Sequence, residues 1–360
     1  IQYTSGTTGF PKGVTLSHHS LTINAYQAAV AMRIDHDSRF CVPMPFYHCG
    51  CTISSALATL SVGGTVVVPS PFFTDLPTLK AIESERCTHV SGVPTMFIAQ
   101  LEHPDFSSFD LNSLRSGFMA GAPCPVYLMK RVTSQMHLSD LVILYGLTES
   151  SPLMTATTVN DSLEIRATTV GRAIPDVEVK IIDTQSDVIV ERGKQGEICC
   201  RGHLVMLGYW QDQTATNEAI DASGWLHSGD LGVMSEAGYL NITGRKKDMI
   251  CRGGENVYPR EIEEVLHTHE SISQVQVFGV PDRRLGEEVA LWVMPKPGCL
   301  LDSDEIIVWL KARVAHFKVP RYIKVVDQFP LTVTGKPRKF VMRDEMIEEL
   351  GLANAQVETA

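Results

Sequence analysis

Residues Tyr3–Gly13 read YTSGTTGFPKG. Hydroxyls at Thr4, Ser5, Thr7 and Thr8 are interleaved with Gly6 and Gly9, and Lys12 and Gly13 close the run. Glycines let backbone N–H groups turn toward an anion, side-chain hydroxyls add donors, and lysine brings a mobile positive charge. Together these describe a cradle for a polyphosphate. A Walker loop would need Gly-Lys-Ser/Thr at the positions that hold Pro11, Lys12 and Gly13, counting from Gly6, so the stretch is not one. A flexible linker is the plain alternative, but linkers of this composition rarely end in Pro-Lys-Gly followed by Val14, Thr15 and Leu16.

A chain of 360 residues is long enough for one large domain with a satellite. Hydrophobic content of 44% is ordinary for a globular protein, and no uninterrupted apolar run reaches the ~18 residues of a membrane helix. A net charge of −10 argues against a nucleic-acid partner, whose grip depends on clustered Lys and Arg. Nine scattered cysteines without a Cys-x-x-Cys pair fit buried free thiols better than zinc or a disulfide framework. Cys49 and Cys51 are expected to pack rather than react.

Downstream of the cradle, Ser17–Met32 has helical spacing, with Leu21, Ala25, Ala28 and Met32 on one face. Short apolar runs at 40–45, 65–69, 89–93 and 141–144 alternate with helical segments, which predicts a mostly parallel sheet flanked by helices. Ligands of such sheets gather beyond the carboxyl ends of the strands. Past Val170 the pattern changes to alternating strands, including 196–202 and 206–210, and predicts a small antiparallel subdomain. Beyond Asp248, strands at 274–280 and 289–294 and a helix over 302–316, with Asp302 and Glu305 in capping-box spacing, predict a compact α+β satellite. The fold class is therefore α/β: a large mixed sheet domain over 1–246, with its antiparallel subdomain, then a small α+β domain over 247–360.

Several stretches stand out for chemistry. PFYHCG (Pro45–Gly50) holds His48, which on its own reads more often as structural than as functional. In SGFMAGAP (Ser116–Pro123), Gly117, Ala120 and Gly121 would let a flat ring or an acyl chain lie on bare backbone, although a glycine-rich turn reads equally well. YGLTE (Tyr145–Glu149) offers an aromatic face for adenine, a Thr148 hydroxyl for a phosphate oxygen and a Glu149 carboxylate for Mg2+, against the alternative of a helix cap. GWLHSGDLG (Gly224–Gly232) sets Asp230 in a glycine-flanked turn, where an acid can accept ribose hydroxyls.

These motifs, in this order, resemble the AMP-forming acyl-adenylating superfamily, and the resemblance runs through essentially the whole chain. Within it the overall flavour is most similar to mitochondrial medium-chain acyl-CoA ligases. The resemblance implies ATP, Mg2+ and CoA as ligands and small-molecule acids as substrates. It places ATP on Thr4 to Gly9, Lys12, Gly121, Ala122, Pro123, Tyr145, Gly146, Thr148, Asp230 and Arg245, and the metal on Glu149. It puts the acyl pocket at His48, Cys49, Gly50, Gly117, Met119 and Ala120, where Ala120 replaces the family's usual glycine. The PFYHCG segment lacks the carboxylate by which amino-acid-activating relatives pair an α-amine, which favours an uncharged acyl tail. Lys247 corresponds to the domain hinge, Gly253, Gly254 and Glu255 to the turn that meets the pantetheine arm, and Lys336, in TGK, to the catalytic lysine. Because the cradle follows a long N-terminal portion in that superfamily, the chain, opening at Ile1, is expected to be a fragment cut at the cradle. A mitochondrial address is likewise implied only by the resemblance. An inert nucleotide-binding remnant and an aryl-acid-CoA ligase are the alternatives.

Overall fold

The computed structural model describes residues 1–4, 11–122, 124–332 and 337–352, and divides them into two compact units. The first comprises Ile1–Ser228 and Gly232–Ile242; the second comprises Gly229–Leu231 and the chain from Thr243 onward.

The first unit is built on a seven-stranded sheet. Its parallel strands Thr65–Val67, Arg39–Cys41, His89–Gly92, Ser116–Ala120 and Asp140–Tyr145 lie side by side in that order, and Thr155–Ala156 and Arg172–Ala173 continue the edge antiparallel. Consecutive residues of one strand serve opposite faces. Val142 and Leu144 pack with Phe40, Phe118 and Met32 on one side, whereas Leu141 and Ile143 pack with Leu79, Phe97 and Leu128 on the other. Covering both faces is what a parallel sheet requires. The helix His18–Met32 closes the first face with Ala25, Ala28, Ala29 and Met32. The Ser17 hydroxyl accepts from Ser20 N at 3.0 Å to start that helix, and Arg33, in the left-handed region with φ 55°, ends it.

Close approach of neighbouring strands requires glycine at position 117. Gly117 has φ +140°, and a Cβ there would fall 1.8 Å from the Val90 carbonyl oxygen on the neighbouring strand. Gly117 is buried against that strand.

The antiparallel part contains Val177–Ile182 paired with Gln195–Gly202. The run expected at 206–210 contributes Gly208–Tyr209, which joins a different, three-stranded sheet with Gln2–Tyr3 and Gly13–Thr15. The strand after the cradle is the middle one of that sheet.

In the second unit, Ile272–Asp282 and Gly286–Pro295 form a long antiparallel hairpin, with Tyr322–Val325 parallel to its second strand. Helices Pro259–Leu266 and Ser303–Lys311 pack on it through Ile262, Leu266, Ile306 and Leu310. Asp302 caps the latter helix, accepting from Asp304 N at 2.7 Å and Glu305 N at 3.2 Å. That helix stops at Lys311 rather than running to His316, because the chain must turn through His316–Lys318 to enter the Tyr322 strand.

Candidate functional site

In the first unit the predicted segments leave the carboxyl ends of parallel strands. Arg39–Cys41 delivers PFYHCG, Ser116–Ala120 delivers Gly121, and Asp140–Tyr145 delivers Gly146 to Glu149. Since Ala120 is in register with Leu144, Gly121 and Ala122 emerge beside Tyr145. The Cys49 thiol lies 3.4 Å from the Thr148 hydroxyl and joins two of these segments. Gly50 N donates to His48 Nδ1 at 3.1 Å, and a π-helical segment, Gly50–Leu57, follows at once. Such wide turns are frequent at functional sites. Cys51 donates to the Met44 carbonyl at 2.9 Å, and burial pushes its thiol up to about 12, so it packs as an un-ionised side chain.

Gly146 makes a sharp exit from its strand. A Cβ there would fall 1.9 Å from the Pro152 carbonyl oxygen. The backbone beyond it is tied down where Ser150 Oγ accepts from Leu147 N at 2.9 Å.

The mouth of the opening loop is closed by Thr4 N donating to Lys12 O at 3.0 Å and by Lys12 N donating to Thr4 Oγ1 at 3.3 Å. Ser5, Gly6, Thr7, Thr8 and Gly9 lie outside the described residues, as do Pro123 and Lys336. At the mouth stands Tyr209, a residue that sequence reasoning passed over as part of a short strand. Its hydroxyl donates to Glu149 Oε1 at 2.7 Å, and Lys12 Nζ sits 4.8 Å from its ring centroid. Burial, followed by the Glu149 charge, raises its phenol well above the usual range, so it remains a proton donor.

Two expected pocket residues pack within the sheet. Met119 is fully buried on the face of Leu79, Phe97 and Leu128, opposite the Cys49 and Phe118 side, because strand alternation turns it away from its neighbours. Gly117 presents its Cα to the Val90 backbone rather than to an open wall. Ala120 does pack against the Cys49 side. Cys251, expected to be buried with the other thiols, is exposed.

In the second unit Arg245 Nε donates to Asp230 Oδ1 at 2.8 Å, with the aspartate buried. Lys247 lies exposed in the turn Lys246–Asp248. Gly253 and Gly254 have φ +61° and +89°, and Gly253 N donates to Leu285 O at 2.7 Å; Glu255 opens the next strand, exposed. Arg252 and Leu285 beside this turn also line a cavity of about 600 Å³ with Arg284, Lys311, Asp282 and Glu288, the two carboxylates pairing with Arg321 and Arg252. Around Lys336, Leu331 bridges Pro337, and Arg338 N donates to Pro330 O at 2.8 Å. Lys339 Nζ then donates to Glu263 Oε1 at 2.7 Å and to Val277 O at 2.9 Å.

No group of three or more His, Cys, Asp or Glu side chains able to hold a metal occurs among the described residues. A single carboxylate such as Glu149 fits a Mg2+ that arrives largely coordinated by substrate phosphates.

A doubly covered parallel sheet with Glu149 beyond one of its strand ends is an architecture that many nucleotide-binding enzymes share, and the chain belongs to the AMP-binding enzyme family. The model of that family matches residues 1–210, and the model of the AMP-binding enzyme C-terminal domain matches residues 261–336. The chain is 49% identical to YngI of Bacillus subtilis, provisionally named an acyl-CoA synthetase, over 99% of this chain and 65% of that protein. It is 42% identical to the mitochondrial medium-chain acyl-CoA ligase of Bos taurus, over 98% of this chain and 58% of the ligase. It thus spans less than two thirds of either relative. ATP-bound MatB from Rhodopseudomonas palustris superposes with a TM-score of 0.88 at 29% identity, over 97% of this chain and 68% of that one.

Proposed function

We propose that the protein activates a carboxylic acid, most simply a medium-chain fatty acid, with ATP, and passes the acyl group to CoA. The observation that carries this reading is the convergence of Thr148, Glu149 and the Lys12 ammonium at the carboxyl edge of the sheet, next to the buried apolar cluster that holds Cys49. The names of the bovine and bacterial relatives support it.

Hydroxide is a poor leaving group, so a carboxylate and a thiol do not condense unaided. Attack of the carboxylate on the α-phosphate of ATP releases pyrophosphate and gives an acyl-adenylate, from which AMP leaves readily. Two anions meet in that step, and charge is the main barrier. Lys12, the cradle donors and Lys336 neutralise it, and Glu149 would hold a Mg2+ that spreads the remaining phosphate charge. No general base is needed, because the acid is ionised at neutral pH. Tyr145 stacks adenine, and Asp230 and Arg245 take the ribose. The thiol then attacks the acyl carbonyl and expels AMP. The turn at Gly253 to Glu255 suits the thin arm of CoA, and Arg284 and Lys311 in the cavity beside it offer cations for the phosphates at the other end. Lys247 is the proposed pivot that exchanges Lys336 for this turn. A mitochondrial address draws support only from the bovine relative's name, and the bacterial protein is the more similar of the two.

CoA-dependent AMP release over straight-chain acids from butyrate to palmitate, with benzoate alongside, tests the substrate. A maximum near octanoate is expected; turnover of benzoate alone would move the reading to aryl acids. Lys336→Ala should lower adenylation by on the order of 10²–10³ while sparing thioester formation from supplied acyl-adenylate, in line with losing one transition-state charge donor. Equal loss in both half-reactions would count against the exchange.

A further inference from the structure

Tyr209 is held too firmly to be a passing contact. Gly208, at φ +142°, turns the chain so closely against Thr216 that a Cβ would come within 2.9 Å of its methyl carbon, and Tyr209 N donates to Thr216 Oγ1 at 2.9 Å. Two further backbone bonds, Leu207 N to Thr15 O at 2.8 Å and Trp210 N to Gly13 O at 2.6 Å, fasten this segment to the strand that leaves the cradle. A third, Met206 N to Glu149 O at 2.9 Å, fastens it to the carboxylate's own backbone. The phenol therefore meets Glu149 and Lys12 from a scaffold joined to both.

We infer that Tyr209 is a positioning residue for the metal–nucleotide complex: its hydroxyl engages Glu149 Oε1 and so directs the other carboxylate oxygen toward the cation, while its ring seats the Lys12 ammonium. A carboxylate bound at one oxygen by a neutral donor keeps its full charge but loses rotational freedom, which suits coordination of a single hard cation. The ring attracts the lysine through its π face and keeps it from pairing directly with Glu149. The two opposite charges stay separated, one for metal and one for phosphate. This assignment rests on the proposal that Glu149 meets Mg2+ at the nucleotide.

The test is calorimetric binding of ATP to the full chain, without acid or CoA, in the presence of Mg2+ and in the presence of a chelator. Wild type should bind ATP more tightly with Mg2+. Tyr209→Phe should raise Kd in Mg2+ on the order of 10-fold, as expected for removing a hydrogen bond to a charged group, and leave Kd in chelator unchanged. Tyr209→Leu should also weaken the chelator value by roughly 3-fold, through loss of the ring under Lys12. In a Glu149→Gln background, Tyr209→Phe should add little, because the two act on one interaction. Equal weakening with and without metal, together with a lowered melting midpoint, would reduce Tyr209 to a packing residue and overturn the inference. Metal-dependent binding in wild type that Tyr209→Phe leaves intact would also overturn it. ATP binding indifferent to Mg2+ in wild type would instead refute the nucleotide role of Glu149.

Discussion

Gly117→Ala separates a packing glycine from a pocket-lining one. The new Cβ would lie 1.8 Å from Val90 O, against at least about 3.4 Å for an ordinary van der Waals contact, so the strands Ser116–Ala120 and His89–Gly92 would have to part by more than an ångström. Overpacking of this kind costs roughly 1–3 kcal/mol, and holding a non-glycine residue at φ +140° adds about 1–3 kcal/mol. A total of about 4 kcal/mol in a unit of this size corresponds to a fall of roughly 8–16 °C in the thermal midpoint. Circular dichroism or scanning fluorimetry on the purified variant reads it directly. Met119→Ala serves as companion, since a fully buried side chain lost to a cavity costs about 2–5 kcal/mol without touching the acid. If Gly117→Ala melts within 2 °C of wild type while changing the preferred acid, the close strand approach is wrong and the glycine lines the substrate after all.

Burial holds His89 down to about 4, although its Nε2 meets the Met32 carbonyl at 3.2 Å. Its folded value lies below the unfolded one, so the stability it contributes is complete above about pH 6.5 and is lost as pH falls toward 4. Urea midpoints between pH 7.5 and 5 should decline, with a shallower slope in His89→Gln; parallel curves would remove the histidine from the account. Lys339→Met, which takes the ammonium from the buried Glu263 carboxylate and leaves it the Val277 N–H, should cost about 3 kcal/mol and accelerate hydrogen exchange in Lys339–Glu349, whereas the paired replacement Lys339→Met with Glu263→Met should recover much of the loss. Exchange unchanged in the single variant would show that the ion pair does not anchor this helix.

Local patterns were legible wherever neighbours in sequence decide the outcome. Ser17 and Asp302 announce the helices they cap, and the order of apolar runs yields the parallel strands whose ends carry PFYHCG and YGLTE. What stayed hidden depends on distant partners. Gly208–Tyr209 has the spacing of any short strand, and nothing in it reveals pairing with Val14 and Thr15 or a bond to Glu149. The glycine immediately before an aromatic was the one available signal. The rear-layer packing of Met119 was not legible because a window of small residues suggests a wall, whereas period-two alternation sends every second side chain behind the sheet.

The two-sided sheet also has a practical bearing on altering selectivity. A library that randomises Phe118, Ala120 and Leu144 samples only the face shared with Cys49, while Met119, Leu141 and Ile143 belong to the rear layer and would spend diversity on misfolded clones. Mutagenesis by alternate codons, rather than by contiguous blocks, is what this architecture asks for.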